Sequence, residues 1–68
     1  MTLYEYIVEQ VDKKNLTLGQ FLHEANLTYN TIYNLRKRKP SMTTYQKIAK
    51  VLDVDVSELR SYSINHDE

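Results

Sequence analysis

Apolar residues recur every three or four positions along this chain, in five short segments separated by polar residues. In the first segment Leu3, Ile7 and Val11 have this spacing, which places them on one face of a helix. Tyr4 and Val8 widen that face. A single glycine and a single proline leave little material for hairpin turns. The pattern therefore predicts an all-α protein with five helices.

Each segment begins at a residue that can cap a helix. The predicted caps are Thr2, Thr17, Thr28, Ser41 and Asp55. Glu5 and Gln20 follow the first two caps at the spacing of a capping box. Thr43 with Gln46 has the same spacing and offers an alternative start for the fourth helix. The apolar face predicted for that helix consists of Met42, Tyr45, Ile48, Ala49 and Leu52.

Helices of this length are not stable alone, so the five must share one core. We expect one compact domain over residues 1–62, followed by a polar, frayed tail at 63–68. The 68 residues include no cysteine, so neither a disulfide nor a thiolate zinc site is available. The domain must therefore fold on its apolar core.

The sequence carries no pattern that indicates catalysis or a resident ligand. His23 and His66 lack neighbouring acids or cysteines at metal-ligand spacing. There is no nucleophile–base pair or phosphate-binding loop, and no apolar run approaches the ~20 residues of a membrane span. We expect no enzyme activity, cofactor, metal, membrane association or small-molecule substrate. The N-terminus does not resemble a signal peptide, which favours a cytoplasmic location.

Formal net charge is zero, but charge is unevenly distributed along the chain. Residues 25–52 contain six bases and no acid, whereas the segments on either side carry a net negative charge. Four of those bases are consecutive, from Arg36 to Lys39. A local basic block indicates contact with nucleic acid even where the overall charge does not.

The second and third segments, joined by "ANLT", have the layout of a helix-turn-helix. The third helix is expected to run from Thr28 to about Lys37, because Pro40 restricts the residue before it. Apolar residues of the two helices can pack together: Leu18, Phe21, Leu22, Ala25, Leu27, Ile32 and Leu35. That packing leaves an outer face of Tyr29, Asn30, Tyr33, Asn34 and Lys37. Asparagine can pair with adenine in the major groove, and the basic run would then lie beside the phosphate backbone.

From about Leu16 to Leu59 the chain resembles the Cro/CI (XRE-type) helix-turn-helix family, the lambda-repressor-like DNA-binding domains. The matching stretches are "LTLGQFL", "ANLTYNTIYNL", "KPSMTTYQKIAKVL" and "VDVSEL". The resemblance implies a compact five-helix domain of a prokaryotic or phage regulator. It also implies that Tyr29, Asn30 and Asn34 read bases, and that Thr28 and Lys37 touch phosphates.

The expected contacts with DNA therefore form two sets. Base contacts are expected from Tyr29, Asn30 and Asn34, and backbone contacts from Thr17, Thr28, Tyr33, Arg36, Lys37, Arg38 and Lys39. Four positions depart from the family habit. Leu18 replaces a glutamine, Leu22 replaces the small alanine at the helix crossing, Asn26 replaces the turn glycine, and Arg36 replaces an acid that in relatives pairs with a helix-one arginine. We expect that ion pair to be absent, with Val11 next to Arg36.

The leading hypothesis is a sequence-specific, double-stranded DNA-binding transcriptional regulator of the phage-repressor or Cro type, cytoplasmic and nucleoid-associated. Two copies would bind a palindromic operator, as a homodimer formed through helix five, the tail or the DNA itself. The alternative is a protein-interaction module such as an antitoxin-like or anti-regulator subunit, with Tyr6, Tyr33 or Tyr62 on a partner surface. Binding of single-stranded nucleic acid by tyrosine stacking is a third hypothesis.

Overall fold

Five α-helices, each beginning after one of the predicted caps, form the regular structure of residues 1–64, the part of the chain that the computed structural model describes. They are α1 (Leu3–Lys13), α2 (Leu18–Ala25), α3 (Tyr29–Asn34), α4 (Met42–Leu52) and α5 (Val56–Arg60). Within those residues there is no β-sheet, and one isolated bridge joins Thr2 to Ser63. The predicted all-α class with five helices is confirmed.

The cap residues explain where the helices begin. Thr2 and Thr17 each form a complete capping box, in which the threonine hydroxyl accepts from the third helical amide and Glu5 or Gln20 accepts from the cap amide. Ser41 caps α4 by accepting from the Thr44 amide at 3.3 Å, so the alternative start at Thr43 is not used. Each bond satisfies an amide that has no partner inside its helix.

Three turns between helices depend on left-handed backbone at polar residues. Asn15, Asn26 and Asp53 have φ angles of 59°, 57° and 58°, and the last two cap the C-termini of α2 and α4. Short polar side chains tolerate this region better than other non-glycine residues do. Asn26 therefore adopts the left-handed conformation that the resemblance leads us to expect of a glycine at this turn.

The core is built where α2 packs against α1 and α4, and α4 packs against α5. Its most buried side chains are Leu3, Ile7, Phe21, Ile48 and Leu59, each with 0% of its surface exposed. Leu22, which the resemblance leads us to expect as a larger side chain than usual at the helix crossing, is also buried, at 4% exposed. The core therefore accommodates the larger side chain at the helix crossing.

Three predicted core positions differ in the structure. Val8 and Met42 are exposed, at 41% and 47%, and Tyr4 is only partly buried. Tyr6, expected as a candidate for a partner surface, is instead 5% exposed. Its ring stacks on Tyr62 with the centroids 4.4 Å apart. The buried face of α1 is therefore turned toward Tyr6, which leaves Val8 on the solvent side.

The end of the described chain packs against α1. The Leu3 amide donates to the Ser63 carbonyl at 2.8 Å, and Ile64 is partly buried against the core. Packing thus extends two residues beyond the boundary expected at 62. The rest of the predicted tail, 65–68, lies outside the described residues. In the described part, no helix is long and apolar enough to cross a bilayer.

Candidate nucleic-acid interface

The connection between α2 and α3 is a tight turn held by backbone hydrogen bonds. The Asn26 amide donates to the His23 carbonyl at 3.2 Å, and the Leu27 amide donates to the Leu22 carbonyl at 2.9 Å. Thr28 then caps α3, its hydroxyl accepting from the Thr31 amide at 3.3 Å. The two helices and this turn form the predicted helix-turn-helix.

Helix α3 is shorter than the sequence predicts, ending at Asn34 instead of about Lys37. Beyond it, the amides of Leu35, Arg36 and Lys37 donate to carbonyls three residues earlier, at 3.1, 3.1 and 2.9 Å. These tighter bonds replace the α-helical pattern at residues 35–37, and the Arg38 amide then donates to the Asn34 carbonyl, four residues earlier, at 2.9 Å. Lys37, Arg38 and Lys39 therefore project from turns and extended chain after the helix, and all three are exposed.

The outer face of α3 is exposed as predicted, while its anchors are buried. Ile32 and Leu35 are each 1% exposed, whereas Tyr29 and Tyr33 are 52% and 55% exposed. Asn30 and Asn34 are also exposed. The buried pair holds α3 against the domain, and the aromatic and amide side chains face outward beside one another.

Asn34 lies next to the basic run in space as well as in sequence. Together with Thr31, Arg38, Lys39 and Thr44 it lines a shallow cleft of about 290 Å³ between the end of α3 and the start of α4. None of the residues named there is acidic. Amide, hydroxyl and basic groups in this cleft are donors that suit base edges and phosphate oxygens.

Tyr29 reaches back over the first turn of α2. A methyl group added at Gly19 would lie 3.5 Å from the Tyr29 hydroxyl and 3.9 Å from the Thr17 hydroxyl. Thr17, Gly19 and Tyr29 are therefore neighbours. Gly19 is absent from the predicted site. One feature of the sequence could have identified it. The single glycine of the chain lies inside a helix, where glycine is usually unfavourable.

Arg36 makes a contact that is not predicted from the sequence. Its guanidinium carbon lies 5.4 Å from the centroid of the Tyr4 ring on α1, within the range of a cation–π interaction. Relatives are expected to link the same two regions by an ion pair. Here an aromatic ring and a guanidinium connect them.

Within residues 1–64, no ion pair neutralises the charge of the basic run. Lys13 pairs with Glu9 at 3.8 Å, whereas none of the described ion pairs involves Arg36, Lys37, Arg38 or Lys39. The same residues contain no group of three or more histidine or acidic side chains placed to bind a metal ion. The surface is therefore free to attract a polyanion.

The helix-turn-helix, its exposed α3 face and the adjacent basic run define a DNA-binding domain. A family model described as the Cro/C1-type HTH DNA-binding domain matches residues 7–63, and the chain belongs to that family. Its general function is DNA-binding regulation with double-stranded DNA as the partner, and the family is typically non-enzymatic. Neither the curated proteins nor the solved structures contain a match to this chain.

Proposed function

We propose that this protein is a sequence-specific transcriptional regulator of the phage-repressor or Cro type that inserts α3 into the major groove of operator DNA. The observation that carries the proposal is the exposed face of α3, where Tyr29, Asn30, Tyr33 and Asn34 lie beside a basic run that forms no ion pair among the described residues. A major groove admits one α-helix with its side chains against base edges.

Base reading is assigned to Tyr29, Asn30 and Asn34. An asparagine amide can donate to adenine N7 and accept from N6–H, and each such pair is worth about 1–3 kcal/mol of discrimination. Tyr29 offers a ring edge to a thymine methyl. Its hydroxyl lies near Gly19, so the ring is supported from α2.

Backbone contacts are assigned to the hydroxyls and bases around that face: Thr17, Thr28, Tyr33, Lys37, Arg38 and Lys39. Thr17 and Thr28 lie at the N-termini of α2 and α3, where backbone amides also face an approaching phosphate. Such contacts set the register of the protein on DNA, and base contacts give the sequence preference. Arg36 is treated apart because of its contact with Tyr4.

Two copies are expected on a palindromic operator. The domain measures 30 × 22 × 22 Å, and half-sites one helical turn apart are separated by about 34 Å. Two domains therefore fit side by side on one face of the duplex. We propose that α5 or the C-terminal segment joins them, and that the regulator acts in the cytoplasm at the nucleoid.

Selection of binding sites from random duplex DNA tests the proposal. The full chain should enrich one motif with two-fold symmetry. Asn30→Ala and Asn34→Ala should each relax the preference at one position per half-site. Gln46→Ala, which also removes an exposed amide, serves as the matched control and should select the original motif. Unchanged preference in both asparagine variants would contradict the base-reading assignments.

One observation favours a second candidate, the protein-interaction module. Val8 is 41% exposed on the face of α1 that also carries the exposed acids Glu5, Glu9 and Asp12. An apolar residue ringed by carboxylates suits a basic protein partner. A partner that co-purifies stoichiometrically and is lost in Val8→Lys would support this function. Competition between duplex and single-stranded oligonucleotides separates both candidates from single-strand binding.

A further inference from the structure

We propose that the surface for the DNA backbone continues past the basic run and across Pro40 onto α5, where Arg60 contacts a phosphate. Arg60 lies outside the helix-turn-helix and outside the predicted contact set. The inference rests on the proposed docking of α3, because that docking decides which side of the domain meets the duplex.

Two adjoining clefts carry the proposal. The cleft beside Asn34 and Arg38 ends at Lys39 and Pro40. A second, open cleft of about 530 Å³ begins at the same two residues and runs along α5, where Arg60 and Ser57 line it. Because the two clefts share Lys39 and Pro40, the surface that carries Asn34 adjoins the surface that Arg60 lines, although the two residues are far apart in sequence.

The second cleft carries positive charge without local compensation. Among the described residues, neither Lys39 nor Arg60 forms an ion pair, and no acid lines the cleft. Glu58, two residues before Arg60, has its carboxylate engaged by the Tyr6 hydroxyl on the α1 side. Helix α5 thus presents an acid toward α1 and a base toward the cleft.

Hydrogen-bonding groups beside Arg60 also suit a phosphate. The Ser61 hydroxyl already donates to the Glu58 carbonyl at 2.6 Å. Ser57 is exposed in the same cleft and can donate its hydroxyl to a phosphate oxygen. A guanidinium and a hydroxyl donor at one place form the kind of pair that binds backbone oxygens without reading sequence.

The salt dependence of binding by the full chain tests this contact. Arg60→Gln should weaken binding to the selected operator several-fold at low salt. It should also make the log–log slope of affinity against salt shallower by about 0.9, the contribution of one phosphate contact. Base preference should not change, and Arg60→Lys should recover most of the slope. Lys14→Gln removes an exposed base at the end of α1 and should leave the slope unchanged.

The outcomes separate this inference from the proposed function. If Lys39→Gln makes the salt slope shallower and Arg60→Gln does not, the surface that contacts phosphates ends at Lys39. The extension onto α5 is then wrong, while DNA binding stands. If Arg60→Gln changes only the melting temperature, Arg60 serves the last turn of α5 and the inference is again overturned. If the unmodified chain shows no salt-dependent binding to duplex DNA, the proposed function fails as well.

Discussion

Arg36 shows how one contact changes the role expected of a charged residue. It stands at the start of the basic run, yet its guanidinium lies over the ring of Tyr4. We expect Arg36→Gln to lower the free energy of unfolding by about 0.5–1 kcal/mol, the usual size of an exposed cation–π contact. Tyr4→Leu should lose as much, and Tyr4→Phe, which keeps the ring, should lose little. Chemical denaturation measures all three.

Binding data complete the test of Arg36. Because the side chain is held toward α1, Arg36→Gln should leave the salt slope of operator binding unchanged. A slope shallower by about 0.9 would instead assign Arg36 to a phosphate, as the sequence alone suggests. Lys37→Gln is the matched control. Lys37 is the neighbour of Arg36 in sequence, and its side chain is exposed and has no ion pair among the described residues.

Tyr6 gives the domain a pH dependence at its alkaline limit. A hydrogen bond to Glu58, and then burial, raise the pKa of Tyr6 from 10.0 to about 12. Between those values the folded state holds a proton that the unfolded state has released, so stability falls as pH rises. The contribution is complete below pH 10 and is lost as pH passes through about 12. Tyr6→Phe should not show this loss of stability. Denaturant unfolding from pH 8 upward should therefore show that the difference in free energy of unfolding between the two proteins becomes smaller as pH rises.

Helix α2 contains a glycine whose replacement is informative. Gly19→Ala should raise the free energy of unfolding by about 0.5–1 kcal/mol, because glycine costs more backbone entropy than alanine in a helix. The added methyl group would lie 3.5 Å from the Tyr29 hydroxyl, an ordinary contact distance. Operator preference should therefore persist. Thermal melting checks the first expectation, and a loss of stability would mean that Tyr29 cannot yield even this much space.

The starts of the helices follow from sequence more reliably than their ends. A threonine or serine followed by a suitable partner three residues later specifies a cap through local bonds, and these caps are present in the structure. The end of α3 could not be located in this way. Pro40 disfavours helix at Lys39, but no local pattern specifies the tighter bonds that residues 35–37 form.

The candidate site also has some features that the sequence predicts and others that it does not. The outward face of α3 follows from helical spacing once Ile32 and Leu35 are recognised as buried anchors. Three other features bring together residues that are apart in sequence: Arg36 lies over Tyr4, Tyr29 lies near Gly19, and Arg60 and Lys39 line one cleft. No local pattern encodes such contacts. They depend on how α1, α2 and α5 are placed by the shared core.

At the scale of the whole molecule, the uneven charge becomes a difference between surfaces. The exposed acids Glu9 and Asp12 lie on α1, whereas Lys37, Arg38 and Lys39 lie between α3 and α4, and none of these three bases forms an ion pair within residues 1–64. A neutral protein of this kind is attracted to DNA by one side and repelled by another. The distribution of charge, and not the net charge of zero, therefore favours one face for contact with the duplex.

The closure of the domain depends on the segment after α5. The Ser63 carbonyl accepts the Leu3 amide at 2.8 Å, and Ile64 covers part of the core. Truncation after Tyr62 removes both. It should lower the free energy of unfolding by about 1–3 kcal/mol, from one lost hydrogen bond and one lost partly buried side chain. In a domain of this size that is a large share of the total.

Truncation after Ile64 is the matched control for this prediction. It keeps the bond to Leu3 and the packing of Ile64, so the difference between the two truncations measures residues 63 and 64 alone. Equal denaturation midpoints would mean that the domain is complete at 62, as the sequence suggests. The shorter chain could instead have a lower denaturation midpoint and a shallower salt slope of operator binding. That result would mean that the packing of residues 63 and 64 against α1 also stabilises α5 and the cleft that Arg60 lines.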